Sequence, residues 1–316
     1  MYPRRIITGL VAASAALLLT SCAGDSLDSS SATDTETDAA AAGGTVRLSG
    51  QNFPEATLVA EMYTQILEAN GYDVEVKLVD TRDVYMADFP GGVDLVPEYV
   101  GGIVDFLNAQ ANGDDAEPMT TNDAEATIDG AQELLAEQGI TLLGASMATD
   151  TNAFFVTQEY AEAEGVTTLS DMEGKQVVLA AAPDCEGRPD CAGGLADVYG
   201  IDIKEILPLG FASNDTYQSV ISGESQLGLT STTDGTLESQ GLVLLEDDQE
   251  IQPAQNLVPA ISEEFLAAHP DIEELLSPLM AALTTEDLTR LNGLVSVDRE
   301  KPADVANSYL EEEDLL

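Results

Sequence analysis

Apolar and polar residues alternate over Thr45–Gly50 (TVRLSG), the two-residue period of a half-buried strand. The period then changes. In PEATLVAEMYTQILEANG, residues 54–71, Leu58, Met62, Ile66 and Leu67 fall on one helical stripe. Pro54 and Glu55 stand near its start and Gly71 past its end. Strands are predicted at DVEVKLV (73–79), VDLVPEY (93–99) and ITLLGAS (140–146), with helices near 98–110 and 122–138. A second set opens at NAFFVTQ (152–158) and continues through KQVVLAAAP (175–183), KEILPLG (204–210), SQLGLTS (225–231) and LVLLEDD (242–248). Helices near 192–199 and 215–222 separate these strands, and after QPAQNLVPAIS (252–262) the pattern is helical to the end. Strand–helix alternation predicts mostly parallel sheets. Two α/β blocks followed by returning helices predict two lobes joined by two crossovers, near 147–152 and 252–257. The lobes are expected at 45–148 plus 256–316 and at 149–255.

The first 21 residues have a different character. MYPRR is a basic n-region and IITGLVAASAALLLT an apolar h-region, the order of an export signal rather than of a folded element. LTSC, Leu19 to Cys22, follows; aliphatic, small, small, Cys is the order of a bacterial lipobox, with Cys22 lipidated as the first mature residue. An ordinary signal peptide with an incidental cysteine is the alternative. No later stretch offers ~20 apolar residues, so the expectation is anchoring to a membrane and not spanning it. Residues 22–44 hold one large aliphatic, Leu27, and read as a disordered tether.

Removing the leader takes Arg4 and Arg5 and no acid, leaving nine basic residues against 58 acidic ones, a formal charge of −49. Such a field excludes a nucleic-acid role and repels anionic headgroups. The acids run along the whole chain, which fits solubility in a salty exterior better than a binding site. Cys185 and Cys191 in DCEGRPDC remain once Cys22 is set aside. An exported pair this close, around Gly187 and Pro189, is expected to form a local disulfide. Zinc wants about four ligands and the single His269 lies far along the chain, so no metal or other cofactor is expected.

Candidate chemistry gathers in VDLVPEYVGGIVDFL, residues 93–107, which begins as a buried strand and ends as a helix. At the turn stand Glu98, Tyr99, Gly101 and Gly102, at the strand end where open α/β sheets bind ligands. Tyr99 there is either a ligand contact or an amphipathic plug. Ser231, Thr232, Thr233 and Asp234 cluster with no histidine beside them, and His269 reads as a surface imidazole at a helix end before Pro270. An enzyme is not expected.

In order along the chain, VRLSGQNFPEATLVAEMYTQILEANGY, VDLVPEYVGG, GRPDCAGGLADVYG, NDTYQSVISGE, LTSTTDG and LVLLEDD resemble one family. It is that of the substrate-binding lipoproteins of ABC importers for glycine betaine, choline and carnitine, and the likeness covers essentially all of residues 45–316. The resemblance implies an α/β, bilobed periplasmic-binding-protein fold of type II, with solute held between lobes joined by two crossovers. It implies a monomeric receptor, lipid-anchored on the extracytoplasmic face of the cytoplasmic membrane, that hands a betaine-type osmoprotectant to a permease driven by an ATPase. A trimethylammonium group has no N–H donors, so ring faces must grip it, at about 0.5–2 kcal/mol each once desolvated. Position by position, the resemblance implies Tyr99 and Tyr217 as cage tyrosines, Arg188 as carboxylate ligand and Gln51 as a polar contact.

The departures carry as much information. Asn152 stands where a third cage tyrosine is common, and Gln240 aligns with a fourth. Gly102 stands where relatives carry a ligand-contacting Thr or Asp. Losing two rings costs about 1–4 kcal/mol. Phe154, two residues from Asn152 on the same strand face, is either a substitute ring or a core residue. A roomier pocket would take larger betaines, while choline, with no carboxylate for Arg188 and no anionic partner at Gly102, is expected to fit worst. A different, non-cationic ligand and a sensing lipoprotein without transport are the alternatives. Cys22→Ser should move the protein from membranes into the soluble extracytoplasmic fraction; unchanged fractionation refutes the lipid anchor.

Overall fold

The computed structural model describes residues 43–113 and 116–316; the leader, Cys22 and the tether through residue 42 lie outside them. In the first lobe β1 (Gly44–Gln51) leads into α1 (Pro54–Ala69), β2 (Tyr72–Val79), α2 (Arg82–Met86), β3 (Leu95–Tyr99), α3 (Val100–Asn112), α4 (Ala124–Gln138) and β4 (Ile140–Leu142). The second lobe holds β5 (Asn152–Thr157), α5 (Gln158–Glu164), β6 (Gln176–Ala181), α6 (Ala192–Asp197) and β7 (Asp202–Pro208). It ends with α7 (Asn214–Ile221), β8 (Leu227–Ser231) and β9 (Leu242–Leu245). The chain then returns as β10 (Leu257–Ser262), α8 (Glu263–Ala268), α9 (Asp271–Ala282), α10 (Thr285–Ser296) and α11 (Pro302–Glu312). Gly44, read above as tether, is thus the first residue of β1.

Two five-stranded sheets result, ordered β2-β1-β3-β10-β4 and β7-β6-β8-β5-β9. The expectation of mostly parallel sheets needs correction. Only two of the four pairings in each sheet are parallel. One strand in each runs against its neighbours, β10 in the first and β5 in the second. These are the strands entered directly from a crossover, so each arrives from the opposite lobe and is inserted in reverse.

The stripe read from α1 is the one that is buried: Leu58, Met62, Ile66 and Leu67, joined by Val59 and Tyr63, pack under α9, α10 and α11. Proline at the first turn suits α1 because the N–H it lacks has no intrahelical partner there. Proline acts differently in β3. Pro97 has no N–H to offer β1, and the β1–β3 ladder is the single pair Leu48–Leu95. Beyond it the end of β3 is free of β1, which leaves Tyr99 at the mouth of the lobe. In the second lobe Phe154, 1% exposed, belongs to the core with Leu179, Leu195, Leu227 and Leu229. The core alternative for Phe154 therefore holds, and it substitutes for no ring.

The two crossovers lie side by side and antiparallel. Thr149 bridges Asn256, and the Asp150 N–H donates to the Gln255 carbonyl. Helix α10 touches both lobes. Thr285 Oγ1 accepts from the Thr149 N–H, and Thr289 Oγ1 donates to the Thr232 carbonyl. At that contact a Cβ on Gly235 would stand 2.3 Å from the Gly293 nitrogen, so only glycine allows the approach.

Cys185 and Cys191 are bonded and fully buried, with Cα atoms 5.3 Å apart. Because the loop they close is short, replacing both with serine should cost less than about 3 kcal/mol of unfolding free energy. Denaturant unfolding reads this; a larger loss would mean the bond does more than restrain the loop.

Candidate functional site

Strand β3 ends with two side chains of opposite use. Glu98 is taken up inside its own lobe: Arg82 donates to its two oxygens at 2.9 and 3.0 Å, and the Tyr85 hydroxyl and Tyr99 N–H also donate to it. The guanidinium of Arg82 also fills the space beside Gly102, where a Cβ would lie 2.5 Å from Nη2. Tyr99 points the other way. Its hydroxyl donates to Glu55 Oε1 at 2.5 Å, and its ring stacks on Phe53 at 6.4 Å between centroids. Burial, then the charges of Glu55 and Asp150, hold the Tyr99 phenol well above its ordinary pKa, so it stays a donor.

Glu55, 3% exposed, sits in the first turn of α1, and its other oxygen accepts from Asn292 Nδ2 of α10 at 2.6 Å. The same amide donates to the Thr233 carbonyl of the second lobe at 3.0 Å. From that lobe comes Tyr217, near the middle of α7, whose hydroxyl donates to Asp234 Oδ2 at 2.6 Å while its ring packs on Phe155 at 5.4 Å. Thr230 and Thr236 complete the donors to Asp234. Burial and then Asp234 raise the Tyr217 pKa as well.

Between these groups lies a cavity of about 520 Å³, with walls from both lobes. Phe53, Glu55, Asp150, Phe211, Tyr217 and Asp234 line it, and none of its described lining residues is basic. Asp150 sits on the first crossover. Burial and then the charge of Glu55 push its pKa up to about 7, against the hydroxyls of Ser231 and Thr233.

The site residues expected from the sequence fall into two groups. Tyr217 lines the cavity, and Tyr99 stands behind it through Glu55 and Phe53. Arg188 and Asn152 meet elsewhere, on Asp190. Arg188 donates to both Asp190 oxygens at 3.0 and 2.5 Å and to Asp184 at 3.0 Å, and Asn152 Nδ2 donates to Asp190 Oδ2 at 2.9 Å. Gln51 closes β1, and its side chain makes no hydrogen bond among the described residues. Gln240 donates to Thr236 within the second lobe. Sequence reasoning missed Phe53, Glu55, Asp150, Phe211 and Asn292. Phe53 and Glu55 stand inside the NFPE motif, whereas no local signal distinguishes Asp150 from the other acids.

The family description "substrate binding domain of ABC-type glycine betaine transport system" matches residues 44–312. The chain belongs to this family. Its members are solute-binding proteins and not enzymes. The chain is 28% identical to the glycine-betaine-binding protein of Pseudomonas aeruginosa, over 86% of this chain and 89% of that one. It is 26% identical to the glycine betaine-binding protein YehZ of Escherichia coli, over 84% and 90%. The solved apo structure of YehZ superposes with a TM-score of 0.70 at 25% identity, covering 86% of this chain and 99% of that one. A structure described as a glycine betaine/carnitine/choline ABC transporter gives 0.72 at 19% identity, over 85% and 99%, and shows the fold. The fold of this family member is therefore the bilobed periplasmic-binding-protein fold.

Tyr99→Phe should remove the donor to a buried Glu55 oxygen and cost about 1–3 kcal/mol of stability. Chemical denaturation measures it; no loss would mean that Glu55 is satisfied without the phenol.

Proposed function

We propose that this chain is the extracytoplasmic receptor of an ABC importer, lipid-anchored through Cys22, that captures a betaine-type quaternary ammonium solute between its lobes. The observation that carries the reading is the cavity itself: rings and carboxylates from both lobes, and no basic lining residue. Phe53, Phe211 and Tyr217 offer π surface to a methylated ammonium. Glu55, Asp150 and Asp234 offer the anionic field that hydrogen bonding cannot replace. At an effective dielectric of about 20, a cation about 4 Å from one carboxylate gains about 4 kcal/mol. That matches the about 1–4 kcal/mol lost with two missing cage rings. Walls drawn from both lobes suit capture by hinge closure, after which a monomeric receptor would deliver its solute to a permease.

Arg188, which the resemblance gives the carboxylate end, does not line this cavity, so in this reading that end reaches beyond it and displaces part of the guanidinium's pairing with Asp184 or Asp190. The case for choline as the worst ligand is weakened: Gly102 offers no anionic partner, but three cavity carboxylates do. A volume of about 520 Å³ leaves room for carnitine-sized betaines.

Thermal denaturation with glycine betaine, carnitine, choline and a neutral sugar tests the reading. Ligand at about 100 times its dissociation constant adds about 2.7 kcal/mol to folding stability. A rise in Tm with the methylated ammonium compounds and none with the sugar is expected. Arg188→Ala should weaken the two betaines more than choline. A response to the sugar alone would overturn the quaternary-ammonium assignment while leaving the receptor fold in place.

A further inference from the structure

Two of the three cavity carboxylates are satisfied by neutral donors. Glu55 takes the Tyr99 hydroxyl and the Asn292 amide, and Asp234 takes Tyr217, Thr230 and Thr236. Asp150 is different. The hydroxyls of Ser231 and Thr233 stand against its carboxyl, but its Oδ1 is buried and meets no hydrogen-bond donor, and its backbone is pinned to the second crossover at Gln255. The titratable groups that face it are Glu55 from α1, Asp234 from the loop after β8 and, beyond Glu55, the phenol of Tyr99 from β3. Asn292, 7% exposed on α10, adds a second buried acceptor without a partner, its Oδ1. Acceptors here outnumber donors, and no base among the described lining residues balances them. A partly buried carboxylate in such company is costly to ionise, and a proton or a cation nearby offsets that cost.

We propose that the cleft takes up its cationic solute in exchange for the proton of Asp150, a step that rests on the quaternary-ammonium reading. The carboxyl O–H bond breaks, the proton passes to solvent through the open cleft, and the ammonium charge takes its place beside the carboxylate. For a cation such as choline the net charge of the site is the same before and after; a betaine brings its own carboxylate besides. A methylated ammonium cannot donate a hydrogen bond, so it engages Asp150 by charge alone and needs the ionised form. With a pKa of about 7, the proton is exchangeable at neutral pH. Affinity therefore rises with pH through neutrality and falls as Asp150 becomes protonated.

Calorimetric titration of the folded receptor with glycine betaine and with choline, at about pH 6 and about pH 8 in buffers of different ionisation enthalpy, tests the exchange. The dissociation constant should be about tenfold larger at the lower pH, following the ionised fraction of Asp150. Binding near pH 7 should release a fraction of a proton. Asp150→Asn should abolish both effects, its fold checked by thermal melting. His269, the single histidine, sits at the end of α8 between Tyr72 and Phe265, away from the cleft, so His269→Gln should leave the release unchanged. If Asp150→Asn fails to fold, wild type and His269→Gln still decide. Binding of equal strength at both pH values without proton release overturns the exchange alone, as does a release that vanishes in His269→Gln. If neither solute binds at either pH, the quaternary-ammonium reading falls and the exchange falls with it.

Discussion

Glu55 is the carboxylate on which the architecture of the cleft turns. It is buried in the first turn of α1, where the backbone N–H groups are unpaired and the helix dipole favours a negative charge. Its two oxygens reach in opposite directions, one to Tyr99 at the end of β3 and one to Asn292 on α10. Through Asn292 the link extends to the Thr233 backbone in the second lobe. Three segments far apart in sequence are thereby fixed to one side chain, and the wall of the cavity is fixed with them. Leaving either oxygen unpaired would incur the desolvation cost of a buried charge.

Tyr99, Tyr217 and the carboxylates do separate work around that anchor. Each phenol is held neutral by burial and by the acid that receives its hydrogen bond, so each ring keeps its orientation and its donor at ordinary pH. The glycines of the region serve close approach. Gly235 lets α10 come within backbone distance of the second lobe, and Gly102 yields its side-chain space to Arg82.

How much of this was legible in the sequence depended on whether the signal was local. The α1 stripe, the strand blocks and the disulfide loop each rest on residues within a few positions of one another, and the structure has all three. Tyr99 and Tyr217 stood out because family motifs surround them, and the structure has Tyr217 in the cavity wall and Tyr99 behind it. Strand direction was not: β5 and β10 look like any other apolar run, and their reversal depends on where the chain has come from. Glu55 and Asp150 were hidden for another reason. In a chain with 58 acids, a buried carboxylate and a solvated one are the same letter, and only long-range packing separates them. For Phe154 spacing left two readings open, a ring beside Asn152 or a core residue, and long-range packing decides for the core.

The reversed strand β10 also sets an order of assembly. The second sheet is built from one continuous stretch, Asn152 to Leu245, and has all its strands once that stretch has been made. The first sheet is still missing its fourth member then. β3 and β4 do not pair with each other, and nothing joins them in the sheet until residues 257–262 enter between them. An N-terminal half that emerges first must wait, its β3 edge unpaired, while the later half folds. For a chain made from its N-terminus, this topology lets the younger lobe close first and leaves the older one with an unpaired strand edge in the interval.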